Sequence, residues 1–135
     1  MENKVLKSLA DEFSDIHSKS FNQQNLRFSS RFIFSLLINP QISYIYKKNK
    51  GFCIFSINKE DAEIITMAVV PKYQNYGIGF LILNELDEVL LKSNCKKVFL
   101  EVASNNLIAL HLYKKVGFRN FGIRKNYYRI LKDKK

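Results

Sequence analysis

Two side chains in the second half of the chain could move protons in a reaction. Glu101 is a carboxylate within the apolar run KVFLEV (97–102), and Tyr113 lies in the later segment LIALHLYKKVGF (107–118). A carboxylate whose pKa is raised by partial burial can accept a proton, and a phenol, with an ordinary pKa of about 10, can donate one. The two groups would face one cleft if their strand and helix pack side by side. Otherwise Glu101 is simply the solvated end of a strand.

A loop between these residues and the first half of the chain could bind an anion. Its sequence is QNYGIG (74–79), with glycines at positions 77 and 79. Glycines at the start of a helix let the backbone approach a ligand closely, and the free N–H groups there attract negative charge. A phosphate-bearing ligand is the natural occupant. The spacing is neither that of a dinucleotide fold nor that of a P-loop, and the same sequence could be a turn without any ligand.

The elements that must position these residues follow from the hydrophobic pattern. Residues 66–70 are apolar and partly β-branched, as in a buried strand, and Pro71 ends that strand because it has no N–H to donate. From Gly77 the period becomes helical. The apolar stripe of this helix consists of Ile82, Leu83, Leu86, Val89 and Leu90.

The remaining pattern predicts helices at 5–18 and 30–38, the second capped by Ser29 or Ser30, and strands at 42–46, 52–57, 63–69 and 97–102,. A last helix should begin near 104–106 and end at Val116, with Gly117 in a Schellman-type stop, followed by an extended segment at 118–128. A strand meander followed by alternating strands and helices predicts a single α/β or α+β domain (1–135). We expect three layers, with a mixed sheet between helices.

Composition narrows the function classes. The 135 residues are 47% hydrophobic and 25% charged, as in globular proteins, and the sequence lacks both a membrane-spanning run and a signal peptide,. We therefore expect a cytoplasmic protein without a membrane partner.

Cys53 should be a small buried hydrophobe and Cys95 a surface thiol, since no disulfide framework is visible. His17 and His111 are far apart, so no metal is expected.

The net charge of +10 favours a polyanionic partner such as CoA, RNA or a ribosomal surface,. The lysines are nevertheless scattered, and no single basic helix or arginine–aromatic platform occurs. Direct nucleic-acid binding is therefore not predicted.

Two longer motifs resemble the GNAT acetyltransferases: VVPKYQNYGIGFLIL (69–83) and LEVASNNLIALHLYKKVGF (100–118). Within that superfamily, LEV, the downstream LYxxxGF and IRKNYY (123–128) are similar to the RimI type, which acetylates the N-terminal alanine of ribosomal proteins. The resemblance covers 63–128. It implies direct acetyl transfer from acetyl-CoA to an amine, above all the N-terminal α-amine of a ribosomal or other protein, without a metal.

The resemblance also implies roles for particular residues. The pantetheine arm would pair with the backbone of Met67, Ala68 and Val69, and the Val69 amide would stabilise the oxyanion. Asn106 would contact the cofactor, Glu101 would act as general base through water, and Tyr113 would protonate the CoA thiolate. The pyrophosphate would lie on amides of a loop made of Gln74, Asn75, Tyr76, Gly77, Ile78, Gly79 and Phe80.

The chain departs from the family pattern in three ways. Relatives usually carry a basic residue at the position of Asn75, and often another at that of Phe80. The first family strand is nearly absent, and the closing strand could be missing as well, which would leave a sheet edge open near 118–131. We therefore expect a monomer or an edge-paired homodimer.

Two alternatives stay open at this level. The first is acetylation of a small amine or a lysine side chain. The second is a degenerate acetyl-CoA-binding or ribosome-associated module without turnover. The acceptor pocket would be built from loops near 21–31 and Tyr127-Tyr128, which carry no readable specificity.

Overall fold

The computed structural model describes residues 2–20, 28–102, 106–121 and 126–131, which contain four helices, a 3₁₀ turn and six strands. The elements are α1 (Glu2–Ser20), α2 (Ser30–Leu37), β1 (Ile42–Lys47), β2 (Gly51–Asn58), β3 (Asp61–Val69), the 3₁₀ turn (Pro71–Tyr76), α3 (Ile78–Lys92), β4 (Lys97–Glu101), α4 (Leu107–Lys115), β5 (Arg119–Asn120) and β6 (Asn126–Ile130). Every helix and strand predicted up to Val116 is present. Ser29 caps α2 by accepting the Phe32 N–H, as expected.

The strands form one mixed sheet in the order β1-β2-β3-β4-β6-β5, in which β3 and β4 are parallel and the other neighbours are antiparallel. Helices α3 and α4 cover one face, and α1 and α2 cover the other. Phe13 of α1 illustrates the second layer, since its ring stacks on Phe52 with centroids 4.5 Å apart. Each face has its own apolar core. The predicted three-layer mixed α/β architecture is therefore confirmed.

The C-terminal part of the sheet corrects an expectation. Residues 118–128 do not form one extended segment, because β5 and β6 pair antiparallel, with Asn120 opposite Tyr127. β6 also pairs with β4 along its whole length, with Leu100 opposite Tyr127, so a closing strand is present. On its other edge β5 pairs with only Tyr127 and Tyr128, so the exposed edge at this end consists of the two-residue β5 and the last residues of β6. Such short edge segments are poor templates for strand addition. Residues 122–125, which connect the two strands, lie outside the described ranges.

The two cysteines are both buried. Cys53 lies in the sheet as predicted, but the expected surface position of Cys95 is wrong, since it is only 3% exposed. The turn after α3 folds back on the helix, where the Cys95 N–H donates to the Leu90 carbonyl at 2.9 Å. This turn directs the thiol into the core beneath α3, so flanking lysines do not keep it at the surface.

A register shift in β3 decides which side chains face α3 and α4. Thr66 lies opposite Ile54, but Ile64 lies opposite Phe55, so Ile65 is an additional residue in β3,. Ile64 packs into the core under α3 before the shift, and Met67 and Val69 pack against the same core after it. The bulge thus resets the alternation of the strand so that Met67 and Val69 face α3 and α4.

His17 provides a test of the packing of α1. It is 4% exposed and its ring lies 4.4 Å from that of Phe28, and burial lowers its pKa from 6.5 to about 4. Between these values the unfolded chain binds a proton that the folded chain does not, so stability is lost as the pH falls from 6.5 towards 4. We expect the free energy of unfolding to decrease by about 2–3 kcal/mol between pH 7.5 and 4.5 from this group.

Urea unfolding at several pH values measures this dependence. His17→Leu removes the titrating side chain and should flatten the curve, whereas His111→Gln, which replaces an exposed histidine, should leave it unchanged. The same slope in His17→Leu and in the wild type would show that His17 does not cause the pH dependence.

Candidate active site

A cavity of about 780 Å³ opens between the end of β3, the start of α3 and one face of α4. Among the described residues, its lining has apolar walls, a few polar side chains and no carboxylate. The lining residues are Ser20, Met67, Ala68, Val69, Gln74, Gly77, Gly79, Phe80, Asn106, Leu107, Ile108, Ala109, His111, Leu112, Tyr113 and Lys115. A cavity of this size suits an extended small molecule.

The end of β3 presents unpaired backbone to this cavity. The pairing of β3 with β4 ends at Ile64 opposite Leu100, although β3 continues to Val69. On the other side of β3, the Val70 N–H donates to the Lys50 carbonyl at 2.7 Å. That bond makes Val69 and Gly51 a non-hydrogen-bonded antiparallel pair, so the N–H of Val69 points away from β2. The same holds two residues earlier for Met67. Strands β3 and β4 thus part around a gap, and the N–H groups of Met67 and Val69 that face it have no strand partner among the described residues.

The Val69 carbonyl is already engaged from two directions. Ser20 Oγ lies 2.8 Å from it and shares its one proton between this carbonyl and that of Ile16, 2.7 Å away, and Gln74 Nε2 donates to the Val69 carbonyl at 3.0 Å. Gln74 therefore ties the 3₁₀ turn to β3, and Ser20 ties the end of α1 to the same point. These bonds fix the direction in which the last peptides of β3 face the gap.

The first turn of α3 provides free N–H groups. Gly77 precedes α3 in the left-handed region (φ 78°) and caps it without a side-chain hydrogen bond. The N–H groups of residues 78–80 therefore have no acceptor within the helix. A Cβ added to Gly79 would lie 2.8 Å from Leu112 Cδ2, so this glycine lets α4 pack close to the start of α3. A helix terminus with free N–H groups, at the mouth of the cavity, can hold an anion.

Asn106 and Tyr113 are held at opposite ends of α4. Asn106 Oδ1 accepts the Ala109 N–H at 3.2 Å, which leaves its NH₂ group to donate elsewhere,. Helix α4 ends in the predicted Schellman motif, because the Phe118 N–H donates to the Tyr113 carbonyl and Gly117 has φ 100°,. The Tyr113 ring packs edge-on against Phe118 with centroids 5.5 Å apart. Burial raises the pKa of Tyr113, and the nearby Cys53 raises it further.

Glu101 lies at the solvated end of β4, one of the two arrangements that its sequence leaves open. It is exposed and is not among the described residues that line the cavity. Leu100 and Val102 lie in the core under α3 and α4, and Tyr113 belongs to that same core. Glu101 therefore points from the opposite face of the strand, on which Phe99 also lies. Glu101 and Tyr113 can act on one substrate only through the gap between β3 and β4.

The cavity gathers most of the other predicted positions. Nine of these line it: Met67, Ala68, Val69, Gln74, Gly77, Gly79, Phe80, Asn106 and Tyr113. Tyr76 is 76% exposed, Ile78 has its side chain in the core, and the Asn75 side chain lies outside what the structure describes. Of the loop residues expected at the acceptor, Tyr127 is in the core, and Tyr128 packs with Phe99 and Phe121. Residues 21–27 lie outside the described ranges.

The cavity also contains residues that our sequence analysis missed. Ser20 comes from the distant α1, and only the three-dimensional fold brings it to β3. One stripe of α4, at positions i, i+3, i+4 and i+7, contributes Ile108, His111, Leu112 and Lys115,. That spacing is visible in the sequence, but the sequence does not show which face of α4 lines the cavity.

Comparison with known proteins assigns the family. The chain belongs to the acetyltransferase (GNAT) family, whose model matches residues 4–118. This confirms the resemblance and, with it, the expected use of acetyl-CoA. Among curated relatives, a Bacillus subtilis protein provisionally named a ribosomal protein bS18-alanine N-acetyltransferase is 32% identical over 122 residues, 87% of this chain and 80% of the relative. The Escherichia coli K12 protein of that name is 36% identical over 81 residues, 60% of this chain and 55% of the relative.

A solved structure agrees with the fold. The ribosomal-protein-S18-alanine N-acetyltransferase from Escherichia coli superimposes with a TM-score of 0.73 at 20% identity, covering 90% of this chain and 88% of that one. The match to the E. coli K12 sequence spans about half of that relative's length, whereas the fold match spans nearly all of the E. coli crystal-structure chain.

The cavity fits acetyl-CoA chemically. Its unpaired β3 edge can bond an amide-containing arm, and the open terminus of α3 can hold phosphate oxygens,. No group of His, Cys, Asp or Glu side chains in the described ranges could hold a metal ion. In the same part of the chain, no helix is both long and apolar enough to cross a membrane.

Proposed function

We propose that this chain transfers the acetyl group of acetyl-CoA directly to a protein N-terminal α-amine, with ribosomal protein bS18 as the first candidate acceptor. Two relatives support this acceptor, because each is named as an N-acetyltransferase of the alanine of ribosomal protein bS18. Such N-termini become available in the cytoplasm during protein synthesis, and we propose that location for the enzyme.

The observation that carries the proposal is the gap where β3 and β4 part. The β3–β4 pairing stops at Ile64 opposite Leu100, one residue before Glu101, while β3 continues to Val69 in the lining of the cavity. A thioester in the cavity could therefore meet an amine on the Glu101 face where the two strands part. Both reactants can therefore be bound together, as direct transfer requires. Holding two reactants in this way supplies a large share of a rate enhancement.

Each polar group at the gap has a task in this reaction. An α-amine has a pKa of about 8, so it is largely protonated at neutral pH and must lose a proton before it attacks. Glu101, exposed beside the gap, accepts that proton through a water molecule. The Val69 N–H points into the gap and donates to the carbonyl oxygen as negative charge develops there. Tyr113, which lines the α3–α4 cavity, donates a hydrogen bond from its hydroxyl to the departing sulfur of CoA.

A panel of acceptors tests the proposal. We would measure CoA release and acetyl incorporation by mass spectrometry with four amines. They are a bS18 N-terminal peptide, the same peptide with a blocked α-amine, a peptide whose only amine is a lysine side chain, and spermidine. We expect acetylation of the free α-amine alone. Transfer to lysine or spermidine instead would assign a different acceptor, and CoA binding without transfer to any amine would indicate a binding module.

Glu101→Gln sharpens this test. The variant should lose activity most strongly near neutral pH and recover in part as the pH rises, because deprotonated amine then forms without the base. Glu63→Gln, which changes another exposed carboxylate of the sheet, should behave like the wild type. A Glu101→Gln profile parallel to that of the wild type would remove Glu101 from the proton path.

A further inference from the structure

One wall of the cavity carries positive charge that the proposed reaction does not use. His111 and Lys115 both line the cavity from α4, one helical turn apart, and they are the basic residues among the described part of its lining. That part of the lining contains no carboxylate, and Lys115 makes no ion pair with any described residue. A free cation facing a carboxylate-free cavity attracts an anion.

This wall lies beside the helix terminus that offers free N–H groups. Leu112, between His111 and Lys115 in sequence, lies 2.8 Å from where a Cβ of Gly79 would be. The turn of α4 that carries both basic residues is therefore packed against the first turn of α3. Backbone N–H groups on one side and cationic side chains on the other border the same space.

The loop itself has no charge to contribute at this point. Residues 74–80 read QNYGIGF and contain neither lysine nor arginine. Hydrogen bonds from a charged donor to a phosphate are roughly twice as strong as those from a neutral one. A loop of neutral groups alone would hold a polyphosphate weakly, so the charge must come from another element.

We propose that Lys115, with the His111 ring beside it, binds a phosphate group of CoA and supplies the charge that the loop 74–80 lacks. This inference rests on the proposed function for the presence of CoA in the cavity. It adds α4 residues as positioning groups for the cofactor. The 3′-phosphate and the pyrophosphate share the relevant chemistry, and the binding experiment distinguishes them.

Calorimetric titration of CoA and of 3′-dephospho-CoA measures the effect. Lys115→Gln should weaken CoA binding by about threefold to fivefold at low ionic strength, the range for a partly exposed charge pair, and the difference should shrink as salt is raised to about 0.5 M. His111→Phe should show a smaller loss, since it removes a ring N–H. Lys114→Gln is the matched control, because Lys114 is exposed like Lys115 but is not among the described residues that line the cavity.

The outcomes separate the possibilities. If the Lys115→Gln effect disappears with 3′-dephospho-CoA, Lys115 binds the 3′-phosphate, and if the effect persists, it binds the pyrophosphate. Both results support the proposal. Equal CoA affinities of Lys115→Gln and Lys114→Gln at low salt would overturn it, provided that the wild type binds CoA. A wild type that does not bind CoA would instead contradict the proposed function.

Discussion

Replacing Tyr113 by phenylalanine should lower kcat by roughly 100-fold, while the affinity for acetyl-CoA changes by no more than a few-fold. The ring would keep its edge-on contact with Phe118 and its place in the core, so only the hydroxyl is lost. Tyr113 lines the cavity in which we propose that the thioester binds, so we expect its hydroxyl to act on the departing sulfur. Its contribution is made in the transition state, which is why kcat rather than binding should respond.

The environment of Tyr113 defines how the hydroxyl acts. Burial raises its pKa above the ordinary value of 10.0, so the phenol stays protonated throughout the physiological range. A thiol has a pKa near 8.5, so complete transfer of the phenol proton to the thiolate would be unfavourable. We infer that Tyr113 stabilises the thiolate by donating a hydrogen bond, and that the proton arrives from the solvent or from the amine. The pH–rate profile should then show no decline due to Tyr113 below about pH 10.

Steady-state kinetics with the bS18 peptide and calorimetry with CoA measure the two quantities separately. Tyr127→Phe is a suitable control, because Tyr127 is another buried tyrosine of the same core but does not line the cavity. An unchanged kcat in Tyr113→Phe would show that Tyr113 serves only as packing and that its hydroxyl does not stabilise the thiolate.

The loop 74–79 and its helix could be predicted from sequence because local chemistry determines them. Pro71 ends β3, Gly77 adopts the left-handed conformation, and the helical period begins immediately afterwards. The Schellman end of α4 at Gly117 was predictable for the same reason. In each case the signal lies within a few residues of the structure that it specifies.

The relation between Glu101 and Tyr113 could be predicted only in part. The alternation of Val98, Leu100 and Val102 assigns Glu101 to the opposite face of β4, and this is visible in the sequence. Which of those faces α4 would cover depends on tertiary packing, and so does the early separation of β3 from β4. The contribution of Ser20 to β3 depends on a contact between residues 49 positions apart, for which the sequence carries no local signal.

The ion pair between Arg129 and Asp87 should be the most costly polar contact to break. It joins β6 to α3, and the two side chains are only 15% and 13% exposed. Arg129 also donates to the Val116 carbonyl at 3.4 Å and lies 5.1 Å from the centroid of the Phe118 ring. One guanidinium thus connects the closing strand, the helix beneath it and the end of α4. Glu101 pairs with Asn126 of β6, and the Tyr113 carbonyl accepts the hydrogen bond that ends α4. The Arg129 contact therefore supports the positions of both Glu101 and Tyr113.

Arg129→Met should lower the free energy of unfolding by about 3 kcal/mol, because it leaves the Asp87 carboxylate buried without its partner. Lys47→Met is the matched control, because it breaks the ion pair between Lys47 and Glu85. Glu85 lies on α3 as Asp87 does, but the Lys47 and Glu85 side chains are 36% and 44% exposed. That pair should contribute no more than about 1 kcal/mol. Urea unfolding of both variants at one pH gives the comparison, and equal losses would show that burial does not strengthen the Arg129 pair.

The double variant Arg129→Met with Asp87→Leu separates the charge from the packing. If the loss in Arg129→Met comes from an unpaired buried carboxylate, removing that carboxylate should restore most of the lost stability, since apolar residues often replace a buried ion pair at little cost. If the guanidinium is needed for its bond to Val116 and its contact with Phe118, the double variant should remain as unstable as Arg129→Met. Arg129 Nε is buried without a hydrogen-bond partner among the described residues, which is a cost that the native pair carries and the double variant does not,. We therefore expect recovery. A double variant that is stable but has lost activity would show that Arg129 is retained to hold the closing strand in place beside the site.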